Sequence, residues 1–342
     1  MTVLPAEWAP QSAVLLTWPH PQTDWAPILD EAEEVFVQIA REVTLRQGLI
    51  VVCRDEAHEV RICRMLSGAG AVMERVVTAL APSDDTWARD HGPITVLEDG
   101  HPVLLDFRFN GWGGKYPADA DDALTGRLHR QGAFGDLPLR PVERVLEGGA
   151  IDSDGAGTLL TTRSCLLAPT RNPDLDAAGV EAMLRDTLGV HRVLWLEHGH
   201  LEGDDTDGHV DTLARFCDAQ TIAHVTCDDP GDPHHGPLAA MTRELEALRT
   251  ADGRRYRLIP LPLPAPIHDL EGRRLPATHA NFLILNGAVL VPTYNDPADA
   301  TALAALQQVF PGREVVGIDC RPLIRQFGSL HCVTMQIPAA SV

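Results

Sequence analysis

Short apolar runs alternate with helix-like segments along most of the chain. The first series consists of Val14–Pro19, a segment with helical spacing of apolar residues from Ile28 to Val43, and the β-branched run Leu49–Cys53. Asp24 is the predicted N-cap of that helix. Apolar residues recurring three and four positions apart indicate a helix, and short apolar runs bounded by turn residues indicate buried strands.

The same series recurs in four other parts of the chain. Two copies are clear, with helices through Val180–Leu188 and Leu303–Phe310, and both follow a cap-then-proline pair, Asn172-Pro173 and Asp296-Pro297. Two copies are weaker, with helices near 121–130 and 238–248. Repeated strand–strand–helix–strand units share one core. The pattern therefore predicts an α/β fold and a single domain over residues 1–342.

Composition narrows the classes of function. The net charge of −20 and the isoelectric point near 5.0 exclude an electrostatic nucleic-acid binder and are compatible with a cationic ligand. No apolar run reaches membrane-spanning length, and the first residues are too polar for a secretory signal. The seven cysteines contain no closely spaced metal-binding pair, so we expect a reduced, cytoplasmic protein.

Polar residues fall at matching places in the repeats, at or near the start of each unit. If the units surround an axis, one central pocket collects these side chains. They are Asp90, Glu147, His209, Asp211, Asn281 and, after the last unit, Cys332. A thiol nucleophile needs an acid–base partner close in space, which His209 can supply. On an extended strand, His209 and Asp211 would share a face.

Other interpretations of these residues stay open on the motifs alone. Asp90 and Asp211 are compatible with turn capping, and a lone cysteine is commonly inert core. His198 and His200, two residues apart, are compatible with a metal ion, but no further ligand cluster has a recognisable spacing. We therefore expect no metal or organic cofactor.

Five motifs together resemble a known family. They are Thr86–Pro93, Phe109–Lys115, Glu147-Gly148-Gly149, Gly208–Asp211 and His331-Cys332, and the opening Leu4–Trp8 matches as well. The chain is similar to the agmatine deiminase and bacterial-type peptidylarginine deiminase family of guanidine-modifying enzymes. The resemblance implies the pentein fold, a five-fold pseudo-symmetric α/β-propeller of five ββαβ units around a central pocket.

The resemblance also implies residue roles. Asp90 and Asp211 would grip a guanidinium, Cys332 would attack its carbon, and the resulting amidino-cysteine would be hydrolysed. His209 would act as acid and base, oriented by Glu147. The expected substrate is agmatine, and peptidyl-arginine and free arginine are the alternatives. Arg108 is a candidate ligand for the carboxylate of free arginine.

The motifs indicate the reaction more clearly than they indicate which residues bind the tail of the substrate. Asn281, Asp205, Trp87 and Trp112 are candidates for substrate contacts, although the tryptophans are equally compatible with the core. A non-catalytic binding protein of the same fold and an amidino transferase are the competing functions. We expect no nucleic-acid or membrane partner, and a homodimer is one expected assembly.

Overall fold

Five separate β-sheets organise the computed structural model, which describes residues 1–340. The strands are β1 Thr2–Val3, β2 Gln11–Thr17, β3 Gly48–Cys53, β4 Val76–Leu80, β5 Ile94–Glu98, β6 His101–Arg108, β7 Leu139–Val145, β8 Ile151–Ser153, β9 Thr158–Thr162, β10 Arg192–Leu196, β11 Ala214–Asp218, β12 Thr221–Thr226, β13 Arg257–Pro262, β14 Leu283–Leu285, β15 Ala288–Thr293, β16 Glu314–Asp319 and β17 Thr334–Pro338.

Helices connect the parallel neighbours within the sheets. The longer helices are α1 Leu29–Thr44, α2 Glu56–Gly68, α3 Leu124–Arg130, α4 Ala177–Leu188, α5 His235–Ala247 and α6 Pro297–Val309. Single helical turns are found at Ala26–Ile28, Met73–Arg75, Ala88–His91, Gly111–Gly114, Asp119–Asp122, Gly148–Ala150, Arg163–Leu166, Val210–Thr212 and Arg321–Ile324.

Every sheet contains the same three-strand pattern. An antiparallel pair is followed by a helical crossover to a parallel third strand, as in β11, β12 and β13 around α5. A parallel neighbour requires such a crossover, whereas a tight turn suffices for an antiparallel one. Among residues 1–340 the five predicted strand–strand–helix–strand units are therefore present.

The first sheet is completed by the end of the described chain. Strand β17 pairs antiparallel with β2, and Thr334 lies opposite Leu16. This pairing supplies the strand that the first repeat lacks locally. It also fixes the segment containing Cys332, which lies two residues before β17.

Two predicted helix starts are wrong, and one is confirmed. Helix α1 begins at Leu29 after a helical turn, so Asp24 does not cap it. Helix α4 begins after Asp176, whose side chain accepts from the backbone N–H of Gly179, while Asn172 bonds the backbone of β7 instead. Asp296 caps α6 as predicted, with Pro297 in the first turn.

Apolar packing surrounds a polar centre. Helix α1 buries Phe36, Ile39 and Val43 at the spacing predicted from the sequence, in one cluster with Leu16 and Val51 of the first sheet. The buried polar residues include members of four of the five units, such as Asp90, Glu147, His209 and Asn281. Within residues 1–340, no helix combines the length and the apolar character needed to cross a membrane.

Candidate active site

The thiol of Cys332 lies almost fully buried beside two polar side chains. Its Sγ atom is 3.4 Å from Oδ1 of Asn281 and 3.9 Å from Oδ2 of Asp211. Asn281 also accepts from the backbone N–H groups of His331 and Cys332. Its amide therefore holds the segment that carries the thiol, and Asn281 is not among the residues that line the adjoining cavity.

Asp90 is fixed by two hydrogen bonds, one to each carboxylate oxygen. Oδ2 accepts from the indole N–H of Trp112 at 3.0 Å, and Oδ1 accepts from the backbone N–H of Gly149 at 3.1 Å. Trp112 has a left-handed backbone conformation with φ of 53°, which costs energy for a residue with a Cβ. The turn Gly111–Gly114 thus directs an indole donor at the carboxylate.

Gly149 is required by close packing at this point. A Cβ placed on it would lie 2.6 Å from Nδ1 of His209 and 2.9 Å from Oδ1 of Asp90. Both distances are far inside van der Waals contact, so a side chain would displace the imidazole or the carboxylate. This crowding explains the second glycine of the motif Glu147-Gly148-Gly149.

His209 lies between two carboxylates. Its Nδ1 is 3.7 Å from Oδ1 of Asp90, and its Nε2 is 3.9 Å from Oε2 of Glu147. Glu147 is fully buried, and its other oxygen accepts from Nε of Arg171 at 2.8 Å. Arg171 also contacts Asp207 at 2.7 Å and the carbonyl of Thr206 at 2.9 Å. One ring nitrogen therefore lies nearest Asp90 and the other nearest Glu147, which is paired with Arg171.

The predicted strand geometry of His209 and Asp211 is wrong, although both residues lie in this region. Val210–Thr212 is a helical turn just before β11, so an alternating strand pattern does not orient the two side chains. Asp211 is fully buried; its Oδ2 accepts from Nδ1 of His331 at 2.7 Å. Its Oδ1 has no hydrogen-bond partner among residues 1–340.

Burial and charge shift the ionisation of this group. Burial and the carboxylates Asp211 and Asp90 raise the pKa of Cys332 well above its usual value. Burial, Asp211 and Glu147 raise the pKa of Asp90 to about 6, despite opposing effects of His209 and Trp112. Burial lowers the pKa of His209, but Asp90, Cys165 and Glu147 outweigh it and raise that pKa well above 6.5. At neutral pH, Cys332 is therefore a neutral thiol and His209 a cationic imidazole, and the neighbouring carboxylates can bind a cation.

A cavity that Cys332 helps to line opens to the surface. Its lining combines aromatic rings with five aspartates and contains no arginine, lysine or histidine within residues 1–340. The lining residues are Asp24, Asp85, Trp87, Asp90, Trp112, Tyr116, Asp204, Asp205, Thr206, Thr212, Gln326, Phe327, Gly328 and Cys332. A cavity with this surface suits a cation with an apolar body.

Three of the four predicted substrate-contact residues line this cavity, whereas Asn281 and the suggested carboxylate ligand Arg108 do not. Trp87, Trp112 and Asp205 all line it, and Asp205 accepts from the hydroxyl of Tyr116. A Cβ on Gly328 would lie 2.1 Å from the Trp87 ring, so the glycine allows that indole to close one wall. Arg108 is exposed and pairs with Asp122 and Glu143 outside the cavity, so its suggested role as a carboxylate ligand is wrong.

One trio of side chains has atoms close enough to ligate a metal among residues 1–340. It consists of Glu147, Cys165 and His209, all buried. The alternative pair His198 and His200 is not part of any such group in the described chain, and His198 contacts Glu244.

Several residues of the site were not predicted from the sequence. Arg171 immediately precedes the Asn172-Pro173 pair, and Cys165 lies seven residues before that pair, but neither residue belongs to a motif of the family resemblance. Tyr116 immediately follows the quoted run Phe109–Lys115. His331 was quoted only as a neighbour of the thiol, and its contact with Asp211 has no local signal in the sequence.

Solved structures of other proteins share this mixed α/β fold. A cysteine-to-serine variant of the C. jejuni agmatine deiminase with substrate bound superposes with a TM-score of 0.91 at 35% identity, covering 99% of this chain and 97% of the other. A candidate arginine deiminase from Porphyromonas gingivalis superposes with a TM-score of 0.93 at 53% identity, covering 99% and 98%.

Sequence comparison assigns the family. The agmatine deiminase of Pseudomonas aeruginosa (strain LESB58) is 34% identical over 98% of this chain and 95% of its own length. The model of the Porphyromonas-type peptidyl-arginine deiminase family matches residues 3–338. The chain belongs to that family, which confirms the family predicted from the motifs.

Proposed function

We propose that this protein is an agmatine deiminase, which hydrolyses the guanidinium of agmatine to N-carbamoylputrescine and ammonia. Support comes from relatives named agmatine deiminase at 34% identity and from structural neighbours of that name. The observation that carries the proposal is the thiol of Cys332 beside the buried carboxylate of Asp211 at the end of an acidic cavity.

Two carboxylates are suited to bind the guanidinium group. In the proposal, Asp90 and Asp211 accept its N–H groups, since a planar guanidinium presents paired donors to a carboxylate. Oδ1 of Asp211 has no hydrogen-bond partner within residues 1–340 and is available for one such contact. Binding a cation offsets the negative charge that raises the pKa of Cys332, so the thiol releases its proton to solvent as the substrate binds.

In the proposal, Cys332 and His209 carry the chemical steps. Sγ of Cys332 bonds to the guanidinium carbon, and His209 gives a proton to the leaving nitrogen as its C–N bond breaks and ammonia departs. The neutral imidazole next removes a proton from water, whose oxygen bonds to the amidino carbon. The C–S bond breaks and its electron pair returns to Sγ, the hydroxyl proton of the intermediate passes to the sulfur and restores the thiol, and the neutral ureido product leaves. Glu147, held by Arg171, orients and stabilises the charged imidazole.

The cavity favours agmatine over free arginine. Both molecules share the guanidinium and the aliphatic chain, but arginine adds an α-carboxylate. The cavity lining offers five aspartates and, within the described chain, no cationic side chain to receive that carboxylate. The distal amine of agmatine would instead meet Asp205 or Asp204 near the mouth, and Trp87 and Trp112 would cover the methylene chain.

A substrate panel tests the assignment. Purified enzyme is incubated with agmatine, free arginine and an arginyl peptide, and ureido product and ammonia are measured together. We expect turnover of agmatine with kcat/KM at least tenfold above that of arginine, given like-charge repulsion of the carboxylate. Preference for the peptide would reassign the substrate, and no turnover of any of the three would refute the proposal.

Product analysis separates hydrolysis from amidino transfer, which would use the same residues. Adding glycine or a primary amine should leave the yield of ureido product unchanged if water is the acceptor. A non-catalytic binding role would give saturable agmatine binding without ammonia release. The buried Cys332–Asp211 contact argues against that role, since burial of a thiol beside a carboxylate has an energetic cost that binding alone does not require.

We further propose that the five units form one closed, five-fold pseudo-symmetric α/β-propeller and one catalytic domain over residues 1–342. The pairing of β17 with β2 supports it, because this contact joins the last unit to the first. The convergence of Asp90, His209 and Cys332, which come from different units, supports it as well. The homodimer and the cytoplasmic location remain predictions.

A further inference from the structure

Glu7 belongs to the first segment of the chain but contacts residues from its later parts. It is buried, and its Oε1 accepts from the backbone N–H of Ile284 at 2.7 Å. Its Oε2 lies 2.7 Å from Nε2 of His331. The other ring nitrogen of His331 lies 2.7 Å from Oδ2 of Asp211. The imidazole next to the nucleophile therefore bridges two carboxylates, and the mechanism above does not use it.

The charged surroundings of His331 come from several elements. Arg215 on β11 contacts Glu7 at 2.9 Å and lies 3.5 Å from Asp152 on β8, and Arg89 lies 3.7 Å from Glu7. Burial, Arg215 and Arg89 lower the pKa of His331, while Glu7 and Asp211 oppose that effect.

The 2.7 Å contacts of His331 with Glu7 and Asp211 indicate which of these opposed effects sets its protonation state. A neutral imidazole carries one N–H, so one of its nitrogens would point a lone pair at a carboxylate oxygen 2.7 Å away. Burial raises the pKa of Glu7, but Arg215 and His331 outweigh it and hold that pKa well below the usual range. Burial likewise raises the pKa of Asp211, and its hydrogen bond to His331 lowers it below 3.8. With both acids ionised, the proton belongs on the ring.

We propose that His331 is an imidazolium held by Glu7, and that Glu7 and His331 together are positioning residues for Asp211. The ring N–H fixes Oδ2 of Asp211, which leaves Oδ1 unpaired for the guanidinium. The positive charge keeps Asp211 ionised although it is fully buried. The role toward the guanidinium rests on the proposed function, whereas the protonation state does not.

Nitrogen NMR on histidine-labelled protein tests the protonation state without any turnover. At pH 7.5 both ring nitrogens of His331 should carry protons, with the signal assigned by its loss in His331→Asn. His91 supplies a neutral reference in the same spectrum, because burial lowers its pKa to about 3. An unprotonated ring nitrogen in His331 of the wild-type enzyme would overturn the proposal.

Two isosteric variants separate the effect on His331 from general damage to the buried charges. Glu7→Gln removes the charge beside His331, and Asp152→Asn removes the other carboxylate near Arg215 without a contact to the ring. Glu7→Gln should convert His331 to a neutral ring and raise KM for agmatine about tenfold or more, the effect of weakening one charge-assisted hydrogen bond. Asp152→Asn should keep the imidazolium and change KM less than about threefold.

The KM measurements have a refuting outcome of their own, and a second variant can replace Glu7→Gln. An equal rise of KM in both variants would reduce Glu7 to a structural role. If Glu7→Gln fails to fold, His331→Asn replaces it: its amide can still donate to Asp211 but carries no charge, so KM should rise as in Glu7→Gln. An unchanged KM in His331→Asn would refute the positioning role. Failure of wild-type turnover alone would refute the proposed substrate and leave the NMR result standing.

Discussion

Asp90 should make the empty enzyme less stable as the pH rises, and Asp90→Asn should remove that effect. The carboxyl is buried, and its pKa is raised to about 6 from 3.8. Between these two values the folded state holds a proton that the unfolded state has released. Stability therefore falls as pH increases through this window, the opposite of the behaviour of a salt-bridged carboxylate.

The size of the change in unfolding free energy follows from the pKa shift of Asp90. A rise from 3.8 to about 6 corresponds to about 3 kcal/mol of stability lost above pH 6. About 2 kcal/mol of this develops between pH 4.5 and 8. Asparagine does not ionise, so the variant lacks this term. It has only one acceptor oxygen for Trp112 and Gly149, which adds a cost of about 1–3 kcal/mol that does not vary with pH.

Thermal unfolding of both proteins without substrate, from pH 4.5 to 8, measures the difference. For a chain of 342 residues, about 2 kcal/mol corresponds to roughly 3 °C in Tm. The Tm of Asp90→Asn minus that of wild type should rise by at least this amount across the range, because the variant also removes the carboxylate that raises the pKa of His209. Asp119→Asn on the surface should stay parallel to wild type. A difference that is constant, or that falls with pH, would refute the argument. The same variant should lose roughly a hundredfold or more in kcat/KM, since one guanidinium partner is gone.

Four further predictions follow from the site. Cys332 should react far faster with a cationic chloroacetamidine than with neutral iodoacetamide, and agmatine should protect it; mass-spectrometric evidence of equal labelling of several cysteines would contradict this. Arg171→Gln leaves the buried Glu147 unpaired and should lower kcat at least about tenfold, whereas Arg140→Gln, from an exposed pair with Glu98, should not; equal kinetics would contradict it. Asp205→Asn should raise KM about threefold to tenfold for agmatine and leave it unchanged for methylguanidine, which has no amine; parallel changes would exclude a tail contact. Gly149→Ala should fold but lose most activity, because its Cβ would displace His209; wild-type kcat would refute that displacement.

The sequence alone predicted the repeats because their signal is local. Apolar spacing identified α4 and α6 and the strands beside them, and cap chemistry identified the start of α6. It failed at Asn172, whose side chain bonds the backbone of another unit at Val145. A cap and a long-range bond use the same side-chain oxygen, so the residue type cannot distinguish them.

The candidate site was predictable where a motif carries its own chemistry. Asp90, His209, Asp211 and Cys332 each lie in a recognisable run, and the structure brings them together. Arg171, Glu7 and His331 were missed as site residues because their significance depends on a partner far away in the chain, such as the 324 positions between Glu7 and His331. Pairings of this kind arise only once the units assemble.

The pairing of β17 with β2 has a consequence for synthesis. Strand β17 is translated after every other described strand. One edge of β2 therefore stays unpaired while the other four units are synthesised and fold. An exposed edge invites pairing with other chains during that interval. The same late segment carries Cys332, so a nascent or prematurely released chain lacks both the strand and the thiol. In the proposed mechanism, completion of the first sheet and arrival of the nucleophilic Cys332 are therefore one event, so an incomplete chain would be inactive.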